Sequence, residues 1–266
     1  MLALISGQGA LPKLIAKACT KRPFIAALEN FLPNDLVPDL VFRLETLGTF
    51  LTDIKKLGIT EVCFAGAIRR PVIDVNLIDG ATKEISDQLL AAIQTGDDRA
   101  LSIVIEIFEK FGLKVVGLDQ IIPNCFPKPA VLTERVPNII DENDAKRADA
   151  IVSKLSPLDI GQGCVISGNH VLAIETFGGT EWMLKSINSR PHFWPSGGIL
   201  FKTMKIDQDR RVDIPAIGPD TVSQVKTSGL NGIVLQQGKV VILNVEHVVK
   251  KANELDLFIW VRETRD

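Results

Sequence analysis

Residues 2–28 read LALISGQGALPKLIAKACTKRPFIAAL. Leu2–Ser6 is a short apolar run of strand length, and Gly7-Gln8-Gly9 follows it as a turn. Pro12 suits the first turn of a helix, on which Leu14, Ile15 and Ala18 recur at helical spacing. Phe24–Leu28 is a second apolar strand. Strand, helix and strand in this order make one βα repeat, and the repeat continues. Phe50–Leu57 reads as a helix closed by Gly58, and Glu61–Ala65 as a strand. Thr82–Gln94 and Ala100–Phe111 read as helices, the second capped by Gly112 before the strand Lys114–Leu118. Repeated βα units predict a parallel sheet wrapped by helices, so the N-terminal half is expected to be Rossmann-like.

Working outward, the texture changes between Ile121 and Val136. Pro123, Pro127 and Pro129 fall there without clear periodicity, and Pro137 follows. Beyond it Glu142–Leu155 reads as a helix. Gly163–Ile166 and Val171–Phe177 read as strands around the hairpin turn Ser167-Gly168-Asn169. Ile199–Lys205, Gly232–Leu235, Val240–Leu243 and Leu257–Val261 are further strands, with a helix over Val245–Leu255 capped by Asn244. The expected organisation is an α/β chain: a Rossmann-like parallel-sheet domain over 1–128, a linker over 129–140, and a mixed α/β catalytic domain over 141–266.

Composition removes several classes of function. A chain of 266 residues supports two domains, and its net charge of -2 lacks the basic field of a general nucleic-acid binder. No apolar stretch approaches the ~18 residues of a membrane-spanning helix. The start MLALISGQGALPKL lacks a basic region and a cleavage site, so no signal peptide is expected. Cys19, Cys63, Cys125 and Cys164 are scattered, without a CxxC spacing. They read as buried reduced thiols of a cytoplasmic protein. His170, His192 and His247 share no zinc-ligand spacing.

The densest chemistry lies in Gly197–Val222, GGILFKTMKIDQDRRVDIPAIGPDTV. Lys202, Lys205, Arg210 and Arg211 are interleaved with Asp207, Asp209 and Asp213. Cations neutralise phosphoryl oxygens, and carboxylates hold Mg²⁺ or steer a water, so the mixture suits a phosphate and metal site. The alternative is a solvated loop. The helix start Gly218-Pro219-Asp220-Thr221 follows, and Thr221 joins the phosphate-binding candidates.

Other stretches offer phosphate contacts. Amides at Gly7 and Gly9 precede a helix N-terminus, with Glu29 where a ribose-binding acid would fall and Pro12 in place of the third Rossmann glycine. The alternative is a tight structural turn. Arg69 and Arg70 follow the strand Glu61–Ala65, and guanidinium forks match phosphate oxygens. Gly179 and Thr180 open a helix after Glu175, a carboxylate that strand alternation places on one face with Val171, Ala173 and Phe177. Asp98 suits the N-cap of the helix near Ala100, leaving Asp97 for a metal.

Taken in order, these stretches carry a family resemblance. They are Gly7-Gln8-Gly9 with Leu11-Pro12, Lys55–Ile59, Ala65–Pro71, Val115–Gly117, Leu158–Gln162, Val171–Glu175 with Gly179-Thr180, and above all Gln208-Asp209, Arg211–Asp213, Pro215 and Ile217-Gly218. The chain resembles the magnesium-dependent UDP-2,3-diacylglucosamine pyrophosphatases of lipid A synthesis, the family unrelated to calcineurin-like phosphoesterases. The resemblance implies hydrolysis of UDP-2,3-diacylglucosamine to UMP and 2,3-diacylglucosamine 1-phosphate, two α/β domains with the substrate between them, and a homodimer. It implies transient contact with the cytoplasmic face of the inner membrane and no nucleic-acid partner.

The family's essential aspartate falls on Asp213, which with Arg211 and Lys202 forms the expected catalytic set. Gly7, Gly9, Arg69, Arg70, Gly179, Thr180, Lys205, Arg210 and Thr221 form the expected substrate and phosphate set. Asp213, Asp209 and Glu175 are the candidate ligands of Mg²⁺ or Mn²⁺. The chain departs from the family at Ile206, where proline is common, and at Gly178–Glu181, where Glu-Gly-Thr-Asp is usual; Glu181 is then the substitute acid. Two other classes stay open on the residues alone. One is a non-catalytic nucleotide-sugar or lipid-binding protein, and the other an oxidoreductase using the Gly7–Gly9 turn.

Overall fold

The computed structural model describes residues 1–69, 71–122, 125–206 and 208–263, apart from the side chain of Asp97. Two compact units emerge, Met1–Pro123 with Asp209–Asp213, and Asn124–Gln208 with Ile214–Asp266.

The first unit is built on a sheet of β1 (Leu2–Ser6), β2 (Phe24–Leu28), β3 (Leu40–Phe42), β4 (Glu61–Ala65) and β5 (Lys114–Val115). The order is β3-β2-β1-β4-β5 and every pair is parallel. Connections run through α1 (Leu11–Ala18), α2 (Leu47–Lys56), α3 (Gly80–Lys83), α4 (Ser86–Gln94) and α5 (Asp97–Lys110), with α6 (Leu118–Ile121) after β5. Ala3 and Ile5 of β1 pack on Leu51 and Ile54 of α2, Leu89 of α4, and Ile107 and Phe108 of α5. Val212 is buried in the same cluster, which fixes the Asp209–Asp213 segment to this unit. Strand order reverses between β1 and β4. That is the switch point beside which open α/β sheets bind ligands.

The second unit holds a six-stranded sheet of β6 (Ala130–Val131), β7 (Gly163–Ser167), β8 (His170–Ile174), β9 (Ile199–Lys202), β11 (Gly232–Gln236) and β13 (Phe258–Arg262), with β10 (Ala216–Ile217) and β12 (Val241–Ile242) paired separately. The order is β6-β13-β11-β9-β7-β8. β9, β11 and β13 are parallel, whereas β6, β7 and β8 join antiparallel. The small residues Ala145 and Ala148 let α7 (Ile139–Leu155) lie close on one face, against Cys164, Ile166, Phe201 and Phe258. On the other face α8 (Gly179–Asn188), α9 (Pro219–Thr227) and α10 (Val245–Glu254) bury Leu184, Val225 and Val248 over Val165, Leu200 and Ile233.

The α/β fold class is as expected, with a parallel sheet first and a mixed sheet second. Several boundaries differ for identifiable reasons. The helix expected over Thr82–Gln94 is broken into α3 and α4, because Ile85 turns inward and Asp79 caps α3 through the Thr82 amide at 2.7 Å. α5 begins at Asp97 from an extended Gly96, so Asp98 lies inside the first turn and not at the N-cap. β5 stops at Val115, and Leu118 already belongs to α6.

Part of the stretch read as a linker is held by the second sheet. Ala130 and Val131 pair with Val261 and Trp260, and Thr133 Oγ1 accepts from the Ile259 amide at 2.9 Å. α7 starts at Ile139, three residues before the expected start, because Asn138 and Asp141 form a reciprocal capping box. The hairpin turn is as expected, with Gly168 and Asn169 both at positive φ.

Candidate active site

In the second unit the chemistry gathers where β9 ends. The expected strand Ile199–Lys205 gives out at Lys202, and Thr203–Lys205 continue as an irregular but buried segment. Lys202 is 6% exposed and Lys205 is 5% exposed. Burying an ammonium costs several kcal/mol unless it is paired and hydrogen-bonded. Both are paired. Lys202 Nζ lies 3.5 Å from Glu175 Oε2 and donates to Thr180 Oγ1. The Thr180 hydroxyl donates in turn to Glu175 Oε2 at 3.1 Å, closing a triangle. Lys205 Nζ donates to Asp159 Oδ1. These ends are the carboxyl ends of the parallel strands, the side on which such sheets present functional groups.

Glu175 reaches this position because β8 stops at Ile174. Gly161 and Gly163 carry no side chain where Glu175 packs: a Cβ on Gly161 would fall 1.9 Å from the Glu175 carbonyl oxygen, and one on Gly163 3.0 Å from Oε2. Strand alternation therefore fails beyond Ile174. Glu175 is buried, whereas Phe177, expected on its face, is 94% exposed. Gly179 sits at φ +73°, and its amide donates to the Thr176 carbonyl at 2.8 Å. Thr221 acts locally, its Oγ1 accepting from the Gly218 amide at 3.3 Å where α9 begins.

In the first unit the two loops at the switch point touch each other. The Gly7 amide donates to the Ala65 carbonyl at 2.8 Å, and Gln8 and Ala67 exchange backbone bonds at 3.0 and 2.8 Å. A Cβ on Gly7 would lie 2.5 Å from the Ala67 carbonyl oxygen. The Gly9 amide donates to Asn34 Oδ1 at 2.8 Å. The amides of Gly7 and Gly9 thus already have acceptors. Close approach of two loops accounts for Gly7, and φ +98° accounts for Gly9. Glu29 shares Arg43 with Glu45, at 3.3 Å each, in a cavity of about 270 Å³ at the tips of β2 and β3. Arg69 is exposed, and Arg70 lies outside the described residues, as does Asp207.

The Asp209–Asp213 segment is ordered by its own charges. Arg211 reaches Asp209 Oδ1 through Nε at 3.0 Å and Oδ2 through Nη2 at 2.7 Å, and its Nη1 donates to Glu109 Oε1 at 2.6 Å. Those hydrogen bonds hold the Asp209 carboxyl below its ordinary value, with burial opposing them. The same bonds raise the guanidinium of Arg211. Arg210 and Asp213 are exposed on either side of buried Val212. Asp213 has φ +50°, in the left-handed region that non-glycine residues rarely occupy and that clusters at functional positions.

Residues 1–125 match the LpxI N-terminal domain, and residues 128–260 match the LpxI C-terminal domain. The chain belongs to the LpxI family. It is similar to UDP-2,3-diacylglucosamine pyrophosphatase LpxI of Caulobacter vibrioides, with 31% identity over 268 residues, spanning 97% of this chain and 96% of that protein. Membership in the LpxI family favours neither the oxidoreductase reading nor a dinucleotide role for the Gly7–Gly9 turn.

A hard divalent cation takes oxygen ligands. Asp209 gives both carboxylate oxygens to Arg211, and Glu175 gives Oε2 to Lys202 and Thr180. Both carboxylates are thus engaged by groups of the chain itself. Asp213 is an exposed carboxylate, the donor type that a hard divalent cation takes. Among the described residues no group of three His, Cys, Asp or Glu is placed to hold a metal. Glu181 pairs with Lys185 one turn along α8 at 2.6 Å, with both side chains exposed, so the structure places it on the surface. Sequence reasoning missed Asp159, Ser156, Gln208 and Glu109. Two motifs ran through them, Leu158–Gln162 over Asp159 and the Gln208–Asp213 stretch over Gln208, without signalling a role.

Proposed function

We propose that this chain hydrolyses the pyrophosphate of UDP-2,3-diacylglucosamine, releasing UMP and 2,3-diacylglucosamine 1-phosphate in lipid A biosynthesis. The observation that carries this reading is full-length similarity, through both LpxI domains, to a protein named for that activity. A water oxygen bonds to one phosphorus, the bridging P–O bond breaks, and the protons of water leave with the products or to solvent. Lys202 and Lys205 supply fixed positive charge for phosphoryl oxygens; Thr180 orients Lys202. Arg69, Arg210 and the α8 start at Gly179 contribute further to substrate binding.

Asp213 steers the attacking water and would be the protein ligand of Mg²⁺ or Mn²⁺. Such an ion, when bound, neutralises charge on the phosphates. Arg211 is a positioning residue, since its guanidinium is occupied by Asp209 and Glu109.

The substrate is a lipid, so the protein must meet a membrane surface. Among the described residues no helix is long and apolar enough to cross one. The exposed aromatic side chains Phe177, Trp182, Phe193 and Trp194 all fall on α8 and its flanking loops, which supports peripheral contact with the inner membrane from the cytoplasm. A homodimer accords with the family resemblance.

The test is incubation with the diacylated nucleotide sugar and Mg²⁺ in ¹⁸O-labelled water, with products read by mass spectrometry. UMP and the lipid phosphate should appear with one label between them. Saturable binding without UMP release would establish the binding-protein alternative instead.

A further inference from the structure

We infer that Asp159 is a positioning residue for the hydrolysis, acting through Lys205; the inference rests on the reading of Lys205 as a phosphate-holding cation. Asp159 closes the turn after α7, at φ +56°, in a left-handed conformation that is strained for most non-glycine residues. From there its carboxylate takes a hydrogen bond from the Lys205 ammonium. The same turn holds the backbone beside it, since Ser156 Oγ accepts from the Ile206 amide at 2.5 Å. Gln208 Oε1 accepts from the Lys205 amide at 3.3 Å. Both the main chain and the tip of Lys205 are therefore fixed before any substrate arrives.

The arrangement mirrors that at Lys202. One lysine is anchored by Glu175 and Thr180 from the α8 side, the other by Asp159 from the α7 side, where Ser156 holds the neighbouring Ile206 amide. A lysine side chain carries considerable rotamer entropy, and holding it in advance removes that cost from the reaction step. Charge fixed in place is worth most where negative charge develops, so the effect belongs in kcat.

The left-handed turn supplies the test. Asn tolerates this conformation best after Gly, so Asp159→Asn removes the charge while keeping shape and backbone, and Asp159→Gly removes the side chain without strain. Both variants should melt several degrees below the parent, because the buried Lys205 ammonium loses its carboxylate partner, yet remain folded at the assay temperature. Both should lose roughly 10- to 100-fold in kcat while KM moves less than threefold. On a Lys205→Ala background, Asp159→Asn should cost no more than twofold further. A loss of equal size on both backgrounds, or a fall in melting temperature with kcat unchanged, overturns the inference. Full activity in Lys205→Ala would instead overturn the reading of Lys205 on which it rests.

Discussion

Asp209 and Arg211 meet in a two-pronged pair, Nε to Oδ1 at 3.0 Å and Nη2 to Oδ2 at 2.7 Å, within one turn of chain. Geometry of this kind is among the stronger surface pairings, and here Glu109 extends it to a third residue at 2.6 Å. Two consequences follow for the loop that carries Asp213. Its base is rigid, and its rigidity depends on an ionised Asp209.

That dependence sets a pH signature. Arg211 holds the Asp209 carboxyl below its ordinary value, and Arg22 does the same for Asp39 through a hydrogen bond at 2.7 Å. A carboxyl whose folded value is depressed contributes stability above its unfolded value, near ~4, and loses it as pH falls through the folded value. Both pairs are partly exposed, so solvent screening leaves each worth about 1 kcal/mol or less. Asp209→Asn should therefore lower unfolding stability by up to about 1 kcal/mol at pH 7. The gap to the parent should shrink below pH 4. Urea titrations at pH 7 and pH 3 check it; an equal gap at both would mean the pair does not stabilise through charge.

Asp213→Asn isolates chemistry from backbone, because Asn also accepts the left-handed conformation at φ +50°. The variant should fold with an unchanged circular dichroism spectrum and lose at least about 100-fold in turnover, equivalent to some 2.8 kcal/mol of barrier. A folded Asp213→Asn protein with more than about a tenth of parental activity removes Asp213 from the mechanism.

The glycines of the first turn make a different prediction. Gly7→Ala sets a methyl 2.5 Å from the Ala67 carbonyl oxygen, a contact that backbone must move to relieve. It should cost about 1–3 kcal/mol of stability. Gly9→Ala meets nothing within 4 Å and should cost only its positive-φ strain, about 1 kcal/mol. Thermal melts of both variants rank them. If Gly9→Ala proved the more damaging in stability, loop packing would not explain this motif.

These glycines show what the sequence could and could not convey. Periodicity located β1, α1, β2 and β4 because apolar runs bounded by Gly and Pro leave few other solutions. Local spacing could not say whether Gly7 faces a ligand or another loop, since the Gly66–Ala67 partner is some sixty residues away. Lys202, Thr180 and Glu175 were each named from their motifs, yet their triangle needs β8 to end early over Gly161, a tertiary event. Asp159 lies in the Leu158–Gln162 motif, but its partner is a lysine more than forty residues downstream, which local spacing does not convey. The short strands β3, β6 and β10 were missed because two or three residues carry no period.

Thiol chemistry offers an independent check on packing. Burial pushes the Cys63 and Cys164 thiols up to about 12, while Cys19 and Cys125 are only half-buried. The thiolate is the reactive form, so the first two should stay unlabelled by a disulfide reagent at pH 8 until denaturant is added. Cys19 and Cys125 should react in the native protein. Rapid native labelling of Cys164 would contradict its place under α7.

The aromatic face around α8 gives the last test. Phe177 and Phe193 are 94% and 77% exposed, and Trp182 and Trp194 are 67% and 40% exposed. Exposed aromatics at this density are costly on a surface facing only water, and Trp and Phe favour the headgroup level of a bilayer. Lys185 and Arg190 lie in the same segment and suit anionic headgroups. Removing Phe193 and Trp194 together should leave the sheet intact, because neither belongs to a buried cluster. The double alanine variant should sediment less with phosphatidylglycerol vesicles, by about threefold or more. Its kcat should stay near the parent while KM for vesicle-embedded substrate rises. With substrate dispersed in detergent the difference should vanish. Unchanged vesicle binding together with a smaller apparent mass by light scattering would assign the face to a second copy of the chain instead of to lipid.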